Sequence, residues 1–150
     1  MKTKTIITDI THEDLVNLLS TASEGSNWLT IDAKDELYYD EKYRQNGTCI
    51  EDILAEILLD GKTISVSDHY SEDGEDFYGD LPHHWNEDWE CMDYEVNLDD
   101  IAKGIARALD NDEEWDSTCA MNLIEEEVSF DIYRAEELVQ VIVFGKAIYG

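Results

Sequence analysis

Two spacings of apolar residues divide this chain. Leu15, Leu18, Leu19 and Ala22 follow the helical period, behind Thr11 as N-cap with Asp14 near the N3 amides, and Gly25 ends the run. The pattern predicts a helix over about 12–23. A second helix is predicted from Ile53, Leu54, Ile57 and Leu58. It opens at the capping-box candidate Thr48-Cys49-Ile50-Glu51 and closes at Asp60-Gly61, where glycine suits the left-handed C′ position. Leu98, Ile101, Ile105, Ala108 and Leu109 form a third stripe behind Asn97, with Asp99 and Asp100 at its positive end. Ala135, Leu138, Val139, Ile142 and Val143 predict a last helix over 132–144, terminated by Gly145.

Alternation marks the strands. In SNWLTIDA (26–33), Leu29 and Ile31 oppose Trp28, Thr30 and Asp32. From Lys62 to His69, Ile64 and Val66 oppose Thr63, Ser65 and Ser67. Trp89 to Val96 is also extended, and pairs most simply antiparallel with Lys62–His69 as an expanded hairpin. The β-branched run in Lys2–Thr8 suggests an edge strand, and Lys146–Gly150 a short extended end. Tyr38, Tyr39 and Tyr43 lie in a polar segment without a period, and Ser117–Phe130 is ambiguous. With no repeat and no linker, 1–150 reads as a single α+β domain, a small antiparallel sheet packed with about four helices. A long acidic loop at about 70–87 contains Gly74, Gly79 and Pro82, the only proline. Loops of that length in compact domains are usually functional or disordered.

Composition supports folding and sets charge apart. A hydrophobic content of 43% and a mean hydropathy of -0.44 belong to a folded chain, not a solvated tail. The 37 Asp and Glu against 10 Lys and Arg give a net charge of -27. A compact chain of this length is roughly 38 Å across, and duplex DNA of that length carries on the order of 22 negative charges. The domain therefore matches the charge of a DNA segment of its own size. Direct binding to nucleic acid or anionic membranes is disfavoured, and a basic partner is favoured.

The charge is concentrated between Ile64 and Ala102, where no Lys or Arg occurs. Tyr70, Phe77, Tyr78, Trp85, Trp89 and Tyr94 are threaded among the carboxylates. A disordered acidic tail holds few such rings, so an ordered acidic surface is expected. The candidate partner-binding residues are Asp68, Glu72, Asp73, Glu75, Asp76, Asp80, Trp85, Glu87, Asp88, Trp89, Glu90 and Asp93. Asp110, Asp112, Glu113 and Glu114 form a secondary group. The aromatics more often pack a core than mark an interface, and acidity also serves plain solvation in salt-rich cytosols.

Other chemistry is weaker. His69, His83, His84 and Cys91 are zinc-ligand types, but adjacent histidines seldom both ligate and no CxxC is present. Polar loop histidines beside a buried cysteine are the simpler reading. Neither Asp110-Asp112-Glu114 nor Asp73-Gly74-Glu75-Asp76 fits the twelve-residue EF loop. Cys49 falls at a helix start, where a thiolate is favoured, but no partner histidine is implied. No phosphate-binding glycine loop is present, so neither an enzyme nor a cofactor is expected. Cys49, Cys91 and Cys119 form an odd, sparse set that argues for reduced thiols in a cytosol. The N-terminal MKTKTIITDITHEDL lacks a signal-peptide core, and no apolar run reaches a membrane span. A soluble cytoplasmic protein is expected, its oligomeric state left open, a dimer included.

Three pieces, GKTISVSD (61–68), NLDDIAKGIARAL (97–109) and EELVQVIVFGKAIYG (136–150), together resemble a family of small acidic proteins carried by bacteriophages, prophages and other bacterial mobile elements. The resemblance covers about half the chain and rests on packing motifs. The loop with Pro82-His83-His84-Trp85 lies outside it. It implies a setting in which small acidic proteins often inhibit host DNA-targeting defences. The functional expectation is an acidic DNA mimic that occupies the basic groove of a CRISPR effector or restriction enzyme. The alternatives are a non-enzymatic interaction module using Trp85 and Trp89, or a zinc-binding protein.

Overall fold

The computed structural model describes residues 10–25, 27–72, 80–110, 132–146 and 148–149. Helix α1 (His12–Gly25) begins with a reciprocal cap: the Asp14 amide donates to Thr11 Oγ1 at 3.1 Å, and the Thr11 amide to Asp14 Oδ2 at 3.0 Å. Strand β1 (Leu29–Asp32) is followed by α2 (Asp35–Tyr38) and a 3-10 turn (Glu41–Arg44) in the segment that lacked a readable period. That turn is pinned by Tyr43, which is buried and donates its hydroxyl to Asp60 at 2.6 Å. Helix α3 (Ile50–Leu59) starts at Cys49, and no side chain accepts from its first amides, so the expected Thr48–Glu51 capping box does not form. Its end follows expectation. Gly61, at φ 79°, donates to the Leu58 carbonyl and Lys62 to the Ile57 carbonyl, the Schellman pair.

Strands β2 (Ile64–Asp68), β3 (His83–Asn86) and β4 (Cys91–Val96) complete a four-stranded antiparallel sheet of order β1-β2-β4-β3. The expected β2–β4 pairing is present. Two details differ: β4 starts at Cys91, leaving Trp89 in a turn, and a further strand, β3, forms within the loop region. β3 carries no apolar alternation. It pairs because β4 offers it a free edge, and the Glu95 amide is held by the Pro82 carbonyl at 2.9 Å.

Helix α4 (Leu98–Asp110) is capped by Asn97, whose Oδ1 accepts the Asp100 amide at 2.8 Å while Asp100 accepts the Asn97 amide. Helix α5 (Ile132–Phe144) ends at Gly145, at φ 82°. It packs against both α1 and α4, and α1 also contacts α3. Leu18, Leu19, Ile101, Val139 and Ile142 meet Ile31, Ile64, Val66 and Val96 around an apolar cavity of about 20 Å³, which places the core between helices and sheet. The chain is thus α+β, with the described helices on one sheet face. Trp28 departs from the expected outward position: it is buried against Phe144 and Tyr149, with ring centroids 5.5 and 5.4 Å away. The expected extended end after Gly145 is not a strand among the described residues; Ile148 and Tyr149 turn back onto α5. The predicted strand at Lys2–Thr8 and the segment Ser117–Phe130 lie outside the described residues. Among the described residues no helix is long and apolar enough to cross a membrane.

Candidate functional site

The β3–β4 hairpin builds an anionic tip. Asn86 and Cys91 pair across its end, so Glu87, Asp88, Trp89 and Glu90 form the turn. Asn86 Oδ1 accepts the amides of Asp88 and Trp89, each at 3.1 Å, a side-chain mimic of a backbone turn. Glu90 closes the turn with φ at 49°, the left-handed region that is unfavourable for a side chain bearing a Cβ. All four side chains stand in solvent, and Trp89 is 75% exposed. Among the described residues, no Lys, Arg or His forms an ion pair with Glu87, Asp88 or Glu90. Glu72 and Asp80 are also exposed.

Other predicted partner-binding residues are placed differently. Asp68 is buried on the helix side of the sheet, where the Tyr149 hydroxyl and the Tyr70 amide donate to it at 2.7 and 3.0 Å. It cannot touch a partner. Trp85 is half-buried against the core, so only Trp89 is presented. Asp93 is buried as well, but on the opposite face, which no described helix covers. Asp73, Glu75, Asp76, Asp112, Glu113 and Glu114 lie outside the described residues, and of Asp110 only its place at the end of α4 is described.

The face opposite the described helices is built by strand alternation. Register aligns Thr30, Ser67, Asp93 and His84 in one row across the sheet and Asp32, Ser65 and Glu95 in another. These side chains point away from the helices, and the shortness of Thr30, Ser65 and Ser67 leaves a groove of about 580 Å³. Asp93 organises its floor: Ser67 donates to Oδ1 at 2.5 Å and Asn86 to Oδ2 at 3.0 Å, with His84 Nε2 3.5 Å away. Burial, reinforced by the neighbouring Asp93 carboxylate, pushes the Cys91 thiol up to about 11. That thiol is no nucleophile near neutral pH. His69 turns to Thr30 Oγ1 at 2.9 Å. His83, next to His84 on the strand, projects to the other face and sits 5.7 Å from the Tyr94 ring. Three of the four zinc candidates, His69, His84 and Cys91, thus line this groove and His83 does not, yet among the described residues no group of three or more His, Cys, Asp or Glu could hold a metal ion.

Two acidic members of this face, Asp32 and Glu95, escaped the sequence-based site. Their signal was the polar half of the alternation in β1 and β4, which marks a wet face without marking a groove. The arrangement offers acceptors and one bare aromatic ring to a cationic partner. No protein-family model matches the chain, and neither a curated protein nor a solved structure matches it.

Proposed function

We propose that this chain is an acidic inhibitor of phage or mobile-element type that occupies the basic groove of a host nucleic-acid-handling protein, a CRISPR effector or restriction enzyme, as a mimic of DNA. The observation that carries the reading is the β3–β4 tip, where Trp89 stands 75% exposed among Glu87, Asp88 and Glu90. Fixed charge of one sign speeds encounter with a basic cleft, and a central tryptophan supplies the apolar contact that retains it.

Competition with DNA tests this reading. Bacterial proteins captured on the immobilised wild-type chain at low salt are challenged with excess duplex DNA, and captured nucleases are assayed for cleavage in the presence of the chain. Mimicry predicts displacement by DNA, inhibition, and loss of both in an E87K/D88K/E90K variant. Partners that DNA does not displace, or that the reversed variant binds at full strength, would remove its basis. The exposure of Trp89 also favours a second reading, an interaction module held mainly by that ring. Binding that persists in ~1 M salt, where the screening length is roughly 3 Å, and disappears in Trp89→Ala would establish it instead.

A further inference from the structure

We infer that the sheet face opposite the described helices receives an arginine side chain of the partner protein, an inference that rests on the proposed reading of a basic partner. The groove exists because Thr30, Ser65 and Ser67 are short, whereas Trp89 lies at its edge. Its volume of about 580 Å³ lies in the range of ligand-binding clefts. Asp32, Asp93 and Glu95 line it against Lys34, the one Lys or Arg among the described lining residues. A phosphate or carboxylate ligand would meet net repulsion there. An apolar ligand would strip water from hydroxyls and carboxylates without replacing their hydrogen bonds.

A cation with a flat face meets neither objection. Asp93 is already oriented by Ser67 and Asn86, and Glu95 and Asp32 stand in the adjacent row as further acceptors. Guanidinium suits such a site better than ammonium: it is planar, weakly hydrated, matches carboxylates bidentately and stacks on indole.

NMR titration with doubly blocked arginine and doubly blocked lysine probes the groove itself. The arginine compound should produce saturable shifts at the Trp89 indole N–H and the Ser67 and His84 amides. A D32N/E95Q variant should weaken it at least five-fold, and E13Q/E24Q, which removes equal charge from α1, less than two-fold. Equal binding of the lysine compound, shifts spread over the surface, or equal weakening by the α1 variant would overturn the inference. Folding of each variant is read from the same spectra. A second arm uses the DNA-displaceable partner, for which D32N/E95Q should lower affinity at least ten-fold. Full affinity in that variant, with binding abolished by E87K/D88K/E90K, overturns the groove and leaves the inhibitor reading standing. Full affinity in both variants removes both.

Discussion

Gln140 and Tyr149 clamp each other: the Gln140 side-chain oxygen accepts the Tyr149 amide at 2.8 Å, and its amide group donates to the Tyr149 carbonyl at 3.3 Å. The same oxygen accepts the Ile148 amide at 2.7 Å. Gln140 is fully buried within α5, a poor place for a polar group unless a partner is fixed there. The clamp holds the Tyr149 ring between Trp28 and Tyr70, with its hydroxyl on Asp68. Replacing Gln140 with Leu removes the acceptor for two backbone amides, at about 1–3 kcal/mol each. Urea unfolding should show a loss of roughly 2–6 kcal/mol, against about 1–2 kcal/mol for Tyr149→Phe, which loses one hydroxyl bond.

Gly104 is required by the contact of α4 with α5. A Cβ there would lie 2.9 Å from the Ile142 Cα and closer still to its Cγ1. Alanine gains about 1 kcal/mol of helix propensity, but overpacking against backbone costs about 1–3 kcal/mol. Gly104→Ala should therefore lower the melting temperature, and an additional Ile142→Val should recover only part of the loss.

His12 joins α1 to α3. Its Nδ1 lies 2.9 Å from Glu56 Oε2 and its Nε2 3.1 Å from Asp52 Oδ1, so both contacts are satisfied as donors only by the imidazolium. Burial opposes that charge, and the two carboxylates outweigh it, raising the His12 pKa above 6.5. The stabilisation is therefore fully present below pH 6.5 and is lost as pH rises through the raised value. His12→Gln should destabilise more at pH 5.5 than at pH 8.5 in paired thermal melts.

Glu90 holds the charged turn in a conformation that favours glycine. The left-handed region costs a Cβ-bearing residue about 1–2 kcal/mol, partly offset by the greater unfolded-state entropy of glycine. Glu90→Gly should raise stability by about 0.5–1 kcal/mol in urea titrations. Under the proposed function the same change should weaken partner binding, because it deletes one carboxylate of the tip. A variant that is both more stable and equally tight would place Glu90 outside the interface.

Cys49 is exposed and Cys91 is buried with its thiol raised to about 11. In a Cys119→Ser background, a thiol reagent at pH 8 should label one cysteine rapidly and the second only with global unfolding. Mass mapping should assign the fast site to Cys49.

Much of the fold was legible in the chain because its signals are local. The Thr11–Asp14 and Asn97–Asp100 caps, the Gly61 and Gly145 endings and the alternation of β1 and β2 each involve residues a few positions apart. Where the signal was only composition, the outcome differed: Thr48–Glu51 looked like a cap but the helix starts without one, and β3 formed with no apolar period at all. The candidate site was legible as a charge-dense region but not as a surface. Asp68, Asp93 and Asp88 are chemically alike in sequence, yet one sits under Tyr149, one floors a groove and one stands in water.

The residues by themselves determined the α+β class, the ends of most helices, the β2–β4 pairing and a negative charge as dense as that of duplex DNA. Tertiary structure decided which carboxylates and rings face outward: Trp28 against the core and Trp89 in solvent, His83 on one face of the sheet and His84 on the other. Trp28 and Trp89 lie outside the strands, one covered by Phe144 and Tyr149 and the other carried on the hairpin turn; for the histidines the physical reason is parity. Side chains alternate across a strand, so a one-residue shift in register exchanges buried for exposed positions. That register is set by strands distant in the chain and by the described helices, which pack on one face.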